Sequence, residues 1–423
     1  MKKETPFFPD WMACPACDRL HLKIPLQRGQ VALCRRCGTR LRGRCFYGPD
    51  LPLALCLAAL IAWIIAISLP FISIGISGQS QTISLPSAVL TLFQHRMPSL
   101  ALFVGLLLIL APLCAILLLI YLLFFLRQNR KPPFYRFFLK LFAHARFWDM
   151  TDVYLVSIFV VLVKAVHMAE IHLAYGFWAF CLQVFFLQFA FAAMPVRDIW
   201  ENLSQPPLPP TPLPGKEARK AGLAPCHTCG RLHTLATPSC TRCASPMHAR
   251  KPQSLNRTLA LTLTALILYI PANLYPIMIV ENFGQSLSST ILGGVILLWQ
   301  DKAFLIASVV FFASVFIPMA KLLALFYLII CVRFRTIACP RDQTALYRLT
   351  EFIGKWSMVD VFVVATLAAM VQMGRIATIE PGIAATAFAG MVVITLFAAE
   401  TFDPRLLWDR PSQENDAHEP ACL

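Results

Sequence analysis

The sequence predicts an all-α polytopic membrane protein, with about eight transmembrane helices forming two parallel four-helix repeats, each preceded by a small cytoplasmic zinc ribbon. Three observations lead there. Of 423 residues, 58% are hydrophobic and 14% charged, a composition outside the soluble globular range. Eight apolar stretches approach the ~20 residues that cross a ~30 Å hydrocarbon core as helix. And Cys14-Pro-Ala-Cys17-Asp-Arg-Leu-His21 returns as Cys226-His-Thr-Cys229-Gly-Arg-Leu-His233.

Each of these motifs is followed by a second Cys-x-x-Cys: Cys34 with Cys37, with sixteen residues between Cys17 and Cys34, and Cys240 with Cys243, with ten between Cys229 and Cys240. Two thiolate pairs on facing tight turns supply the four soft ligands of a tetrahedral structural Zn²⁺. The rival reading, a redox dithiol, wants a single motif on a βαβ pattern that is absent here. With all four thiolates used as ligands, neither site keeps an open position for catalysis. The other seven of the 15 cysteines show no disulfide-like spacing, which suits a reducing compartment.

The spans run from Leu53 to Ile74, Ser99 to Leu126, Asp152 to Met168 and Tyr175 to Met194, then Leu259 to Val280, Phe304 to Val332, Asp360 to Met373 and Gly382 to Ala399. The third of each set is short. Between the first two spans of each set, Ser84 to Phe93 and Thr290 to Trp299 read as interfacial or re-entrant helices. The expected domains are ribbon 1 (1–48), the first four helices (49–200), a Pro-rich linker (201–222), ribbon 2 (223–252), the second four helices (253–404) and a tail (405–423).

Net charge is +15, and the basic residues flank apolar spans instead of forming the compact patch of a nucleic-acid-binding domain. Under this threading the opposite loops hold only Arg96, Lys302 and Arg375. The positive-inside tendency therefore predicts cytoplasmic termini and ribbons. No apolar region follows Lys2 and Lys3, so no cleaved signal is expected.

The repeat extends past the ribbons with a period of about 207 residues: Pro112 matches Pro318, Trp148-Asp-Met-Thr-Asp152 matches Trp356-Ser-Met-Val-Asp360, and Arg197-Asp-Ile-Trp200 matches Arg405-Leu-Leu-Trp408. Four spans per half give both halves one orientation, about a pseudo-twofold along the membrane normal.

Trp148, Trp356, Asp152 and Asp360 are expected at the cytoplasmic entrance of the third span of each half. Acidic groups there suit the helix dipole and indoles suit headgroups; a gating role is the alternative. Lys321 is central to its span, where a cation costs ~3 kcal/mol or more unless paired or wet. Ser314 shares its helix face, and Ser357 and Thr395 are able to join from neighbouring helices, although such hydroxyls are often satisfied by their own i−4 carbonyl. Lys164 with His167 forms the counterpart in the first half, a pair able to change charge near neutral pH; snorkelling is the plainer reading of Lys164. No P-loop, Gly-x-Ser-x-Gly or His-Glu-x-x-His is present, so no enzyme is predicted.

Pro271-Ala-Asn-Leu-Tyr-Pro276, Ser289-Thr-Ile-Leu-Gly-Gly-Val-Ile-Leu-Leu-Trp299, Gly354-Lys-Trp-Ser-Met-Val-Asp-Val361 and Thr401-Phe-Asp-Pro-Arg-Leu-Leu-Trp-Asp409, with the paired Cys motifs, resemble the paraquat-inducible protein A (PqiA/LetA) family along essentially the whole chain. That resemblance implies an inner-membrane component of a Gram-negative system moving phospholipid between membranes, beside a periplasmic, membrane-anchored MCE-domain protein. It also implies tandem cytoplasmic zinc ribbons and a polar cluster in the helices, here Lys164, Ser314, Lys321, Ser357 and Thr395, with His167 where some relatives have an acidic residue. A scaffold for the MCE partner and an independent proton-coupled exporter are the rival expectations.

Overall fold

The computed structural model describes residues 11–409 except 25, 28, 44–47, 77–78, 95–97, 166–169, 204–215, 283–284, 301, 303, 335–338 and 371–376. Ribbon 1 consists of two hairpins, β1 (Trp11–Ala13) with β2 (Leu20–Leu22) and β3 (Val31–Leu33) with β4 (Arg40–Gly43). The first helical half follows: α1 (Asp50–Ser68), a hairpin of β5 (Ile72–Ile76) and β6 (Gln79–Ile83), α2 (Leu85–Gln94), then α3 (Pro98–Gly105). A π turn at Leu106–Leu110 leads from α3 into α4 (Ala111–Arg127). The half closes with α5 (Tyr135–Trp148), α6 (Thr151–Ala165), β7 (Glu170–Leu173), α7 (Tyr175–Ala193) and α8 (Val196–Leu203).

Ribbon 2 carries β8 (Leu223–Pro225) and β9 (Leu232–Thr234). The element order then recurs: α9 (Ser254–Leu274), β10 (Met278–Asn282), β11 (Gln285–Ser289), α10 (Ile291–Gln300), α11 (Phe304–Phe311), a π turn at Phe312–Phe316, α12 (Ile317–Arg333), α13 (Pro340–Trp356), α14 (Val359–Met370), β12 (Ala377–Pro381) and α15 (Ile383–Thr401). A 3₁₀ turn, Pro404–Leu407, stands where the first half has α8.

Six helices among the described residues are long and apolar enough to cross a membrane: Asp50–Ser68, Pro98–Arg127, Tyr175–Ala193, Ser254–Leu274, Phe312–Arg333 and Ile383–Thr401. Within the described residues the third stretch of each half does not reach that length, since α6 has 15 residues and α14 has 12. Each begins at a corner. Main-chain helix stops at Trp148 and Trp356, where Asp149 and Ser357 follow, and restarts at Thr151 and Val359. What the sequence presents as one span with an uncertain boundary is therefore the second arm of a bent pair, α5–α6 or α13–α14.

Each π turn is followed within two residues by Pro112 or Pro318, whose missing N–H leaves an upstream carbonyl without a backbone partner. The two short helices start on side-chain caps: Ser87 N donates to Ser84 Oγ at 3.3 Å, and Gly293 N to Thr290 Oγ1 at 3.0 Å. They follow three-stranded antiparallel sheets, β6-β5-β7 and β11-β10-β12, which periodicity did not reveal. Glycine is required where each fourth helix meets the end of the first. A Cβ on Gly176 would lie 2.6 Å from Pro70 O, and one on Gly382 only 2.1 Å from Pro276 O.

The halves meet in one apolar cluster that includes Phe71, Tyr154, Phe177, Phe362 and Phe388. Tyr154 of α6 sits edge-on to Phe362 of α14 at 5.4 Å, and Trp148 to Phe397 of α15 at 5.6 Å. Outward residues such as Ile61, Phe185, Ile267 and Leu323 are exposed, as helices without a polar face require in lipid.

Candidate functional site

The eight predicted cysteine ligands fall into two buried clusters, Cys14, Cys17, Cys34 and Cys37, and Cys226, Cys229, Cys240 and Cys243, with all sulfurs of a cluster within 4.8 Å of one another. Four backbone turns of one design hold them. In each, the residue after the second cysteine donates its N–H to the carbonyl of the first: Asp18 to Cys14, Gly38 to Cys34, Gly230 to Cys226 and Ala244 to Cys240, at 2.8–3.0 Å. That residue has positive φ in all four turns: Asp18 62°, Gly38 70°, Gly230 71° and Ala244 55°. Two glycines take this conformation freely; Asp18 and Ala244 take it at a cost.

The donor set fits a metal. Sulfur pairs at 3.5 Å (Cys14 with Cys37, Cys17 with Cys34, Cys226 with Cys243, Cys229 with Cys240) approach the ~3.8 Å edges of a tetrahedron with ~2.3 Å bonds. His21 Nε2 lies 3.2 Å from Cys34 Sγ, and His233 Nε2 3.2 Å from Cys240 Sγ. The histidines of the repeated motif thus stand beside one sulfur of each cluster, suited to donate an N–H to a thiolate. A bound ion would supply folding energy to ribbons too small for a core of their own.

Asp18 gains from its strained position. Its buried carboxylate receives Arg250 Nη1 at 2.9 Å and Arg219 N at 3.3 Å, and Arg250 Nη2 reaches Asp409 Oδ1 at 2.6 Å. Burial pushes the Asp18 carboxyl up, against the opposing pull of Arg250 and then Arg405. Alongside, Arg405 Nη2 donates to Asp403 Oδ2 at 2.8 Å. Burial works against the Asp403 carboxylate, but its bonds to Arg405 prevail and hold it below the usual range. These ion pairs tie ribbon 1, the end of ribbon 2 and the segment after α15 together.

Inside the second half, Lys321 is 3% exposed, and its Nζ donates to Thr395 Oγ1 at 2.9 Å, which in turn donates to Val392 O at 2.7 Å. Among the described residues Lys321 has no carboxylate partner. Gly354 of α13 lies against it, since a Cβ there would stand 3.1 Å from Nζ. One turn on, the Ser357 hydroxyl is buried and makes no hydrogen bond within the described residues. Ser314 is buried in the π turn of the same half. Thr395 is six residues from the end of α15, hence ~9 Å along the helix. The corner between α13 and α14 therefore lies close to Lys321.

Lys164 falls in the last turn of α6, and His167 lies outside the described residues. Asp152 and Asp360 occupy the first turns of α6 and α14. Asp152 accepts from Val153 N at 3.0 Å, whereas Asp360 borders a gap between the halves with Leu100 and Phe388. Sequence reasoning missed Asp149. It is 3% exposed, accepting from Thr151 Oγ1 at 3.0 Å and from Gln188 Nε2 of α7 at 3.4 Å. The signal was available, because Asp149 is the repeat partner of Ser357.

The family model described as paraquat-inducible protein A matches residues 50–204 and 255–412, the two helical halves without either ribbon. The chain is 34% identical over 405 residues to the intermembrane transport protein PqiA of Escherichia coli K12, covering 95% of this chain and 97% of that protein. It is 28% identical to the lipophilic envelope-spanning tunnel protein A of the same organism, covering 96% and 93%. With the probable intermembrane transport protein of Haemophilus influenzae it shares 26%, covering 94% and 95%. No solved structure matches the chain.

Proposed function

We propose, from the premise that the chain belongs to the paraquat-inducible protein A family, that it is the inner-membrane component of an intermembrane lipid transport system. It passes phospholipid to or from a periplasmic MCE-domain partner. The names of the relatives support this reading, and one observation carries it to particular residues: Lys321, a nearly fully buried cation bonded to Thr395 inside membrane-length helices. Such a cation is costly in hydrocarbon, and so marks a path or switch in preference to a strut.

In this reading the bent α5–α6 and α13–α14 pairs each count as a third span, giving eight crossings in two like-oriented four-helix repeats. The domains are those the sequence suggests, with ribbons and termini in the cytoplasm and the β-sheets facing the periplasm. The ribbons hold two structural Zn²⁺ ions. No catalytic residue is assigned. A lipid-accessible cleft lies between the halves, and a change of charge at Lys321, near Ser314, Ser357 and Thr395, or at Lys164 with His167, biases its opening. Asp152, Asp360, Trp148 and Trp356 form the hinge region of each bent pair.

The test is purification from the native envelope with Lys321→Met beside the unaltered chain. The expected result is that both recover an MCE-domain protein and phospholipid, while only the unaltered chain restores lipid movement in cells lacking it. Normal lipid movement with Lys321→Met at normal abundance removes the residue from the mechanism. A clean chain with metal but neither partner nor lipid favours the exporter. Loss of the complex on altering the ribbons, with every intramembrane substitution silent, favours a scaffold.

A further inference from the structure

Segments adjacent in sequence usually pack together, so each ribbon is expected to sit on the half that follows it. The apolar packing does the opposite. All four ribbon 2 cysteines belong to a cluster with Leu53 of α1, Phe142 of α5 and Trp200 of α8 in the first half. Met12 and the ribbon 1 cysteines belong to a cluster with Leu328 of α12, Tyr347 of α13 and Trp408 in the second.

Polar contacts repeat the crossing. From the first half, Arg136 Nη2 of α5 donates to Thr241 O at 3.4 Å and Arg197 Nη2 of α8 to Gly230 O at 3.3 Å, both in ribbon 2. From the second half, Arg348 Nη2 of α13 donates to Cys37 O at 3.0 Å, and the Arg36 guanidinium of ribbon 1 lies 4.4 Å over the Trp408 ring. Ribbon 1 also touches α8, through Lys23 and Arg42 with Glu201 at 3.0 and 3.2 Å and Arg197 Nη1 with Leu41 O at 3.5 Å, and ribbon 2 touches the turn after α15, through Arg405 Nη2 with His227 at 3.4 Å, but among the described buried residues no apolar cluster joins either ribbon to its own half. The ribbons are also bound to each other. Trp11 and Leu20 share a cluster with Leu223 and Leu232, and Leu20 N donates to Lys216 O, just ahead of ribbon 2, at 2.9 Å.

The geometry points to a crossed clasp: the face of each ribbon is a docking surface for the ribbon-side end of the helical half that it does not precede, and the joined pair fixes how the two halves sit relative to each other. Because the cysteine sulfurs lie within the docking clusters, an ion in one ribbon organises the surface on which the opposite half rests. Loss of metal from ribbon 2 therefore loosens the first half, and loss from ribbon 1 the second. Nothing in this inference depends on what the chain transports.

Hydrogen exchange on the purified full chain tests it, with metal content measured in parallel. Met12→Ser and Met247→Ser leave all eight cysteines in place while removing an apolar contact from one docking cluster each. Met247→Ser is expected to speed exchange about tenfold in α8 and the ribbon-side turns of α5, and to leave α13 and Pro404–Leu407 unchanged. Met12→Ser is expected to do the reverse. Cys226→Ser with Cys229→Ser should lower metal content and show the same sidedness as Met247→Ser more strongly. Three results would each overturn the clasp: loosening of the following half, equal loosening of both halves by either variant, or unchanged exchange in all variants. Sidedness is read whether or not a methionine variant also sheds its metal.

Discussion

The two helical halves share an element order yet differ at the same places. In the second, Ser314, Lys321 and Thr395 are buried, with Ser357 at the corner. The repeat-related positions in the first are Leu108, Ala115, Leu187 and Asp149, also buried. Both halves keep the π turn, the proline after it and the corner. The fold is thus built with leucine and alanine in these places as readily as with lysine and threonine. Within one chain the first half serves as a control for the proposal that the polar set of the second serves activity.

The sharpest test exchanges residues between the halves. Ala115 is fully buried among apolar neighbours, so Ala115→Lys inserts a cation with no hydroxyl waiting for it, at a cost of about 3 kcal/mol or more. Thermal unfolding in detergent should fall sharply or the variant should fail to accumulate. Lys321→Met shortens the unbranched side chain by one atom and removes a charge that has no carboxylate partner among the described residues, so its melting temperature should hold or rise while lipid movement is lost. Equal destabilisation by the two variants would end the claim that the halves differ by specialisation.

The glycines that close each half offer a graded comparison. Gly382→Ala must relieve a 2.1 Å contact with backbone and Gly176→Ala one of 2.6 Å. Both should destabilise, the former more, by about 2–3 kcal/mol. Equal melting temperatures would mean that both helix ends yield alike.

At the corner, Asp149→Ser gives the first half the residue of the second. Thr151 and Gln188 lose a buried acceptor, while the cost of burying a carboxyl disappears. The two effects oppose, and the net change should stay within about 1 kcal/mol, against near-complete loss of lipid movement for Lys321→Met. If Asp149→Ser matched Lys321→Met in transport, the first half would carry a site of its own.

How much of this was legible follows from range. The cysteine ligands, the six long helices and Lys321 announce themselves in spacing or hydropathy, both local properties. The corners after Trp148 and Trp356 do not, because apolar residues continue through them and only the shortness of the third span hinted at a break. The β-sheets escaped because β5 pairs with β7 across about a hundred residues and is read locally as a polar loop. Asp149 was visible in the repeat alignment but overlooked beside its more conspicuous neighbours, Trp148 and Asp152. The crossing of the ribbons has no local signature at all.

The smallest effect compares the ribbon turns themselves. Ala244 holds φ 55° with its backbone N–H committed to Cys240 O, so Ala244→Gly removes strain at the cost of a more flexible unfolded chain, and should stabilise metal-loaded ribbon 2 by about 1 kcal/mol or less. Asp18 holds φ 62° in the corresponding turn of ribbon 1, and the same change there relieves the same strain. It also leaves Arg250 without one of its two carboxylates and frees Arg219 N, which outweighs the relief. Chelator competition on the two variants should therefore move in opposite directions, with slower metal loss from Ala244→Gly and faster loss from Asp18→Gly. Movement in the same direction would mean that Asp18 is held by its turn alone, and that the ion pairs joining ribbon 1 to the end of ribbon 2 and to the chain after α15 add nothing to the ribbon's stability.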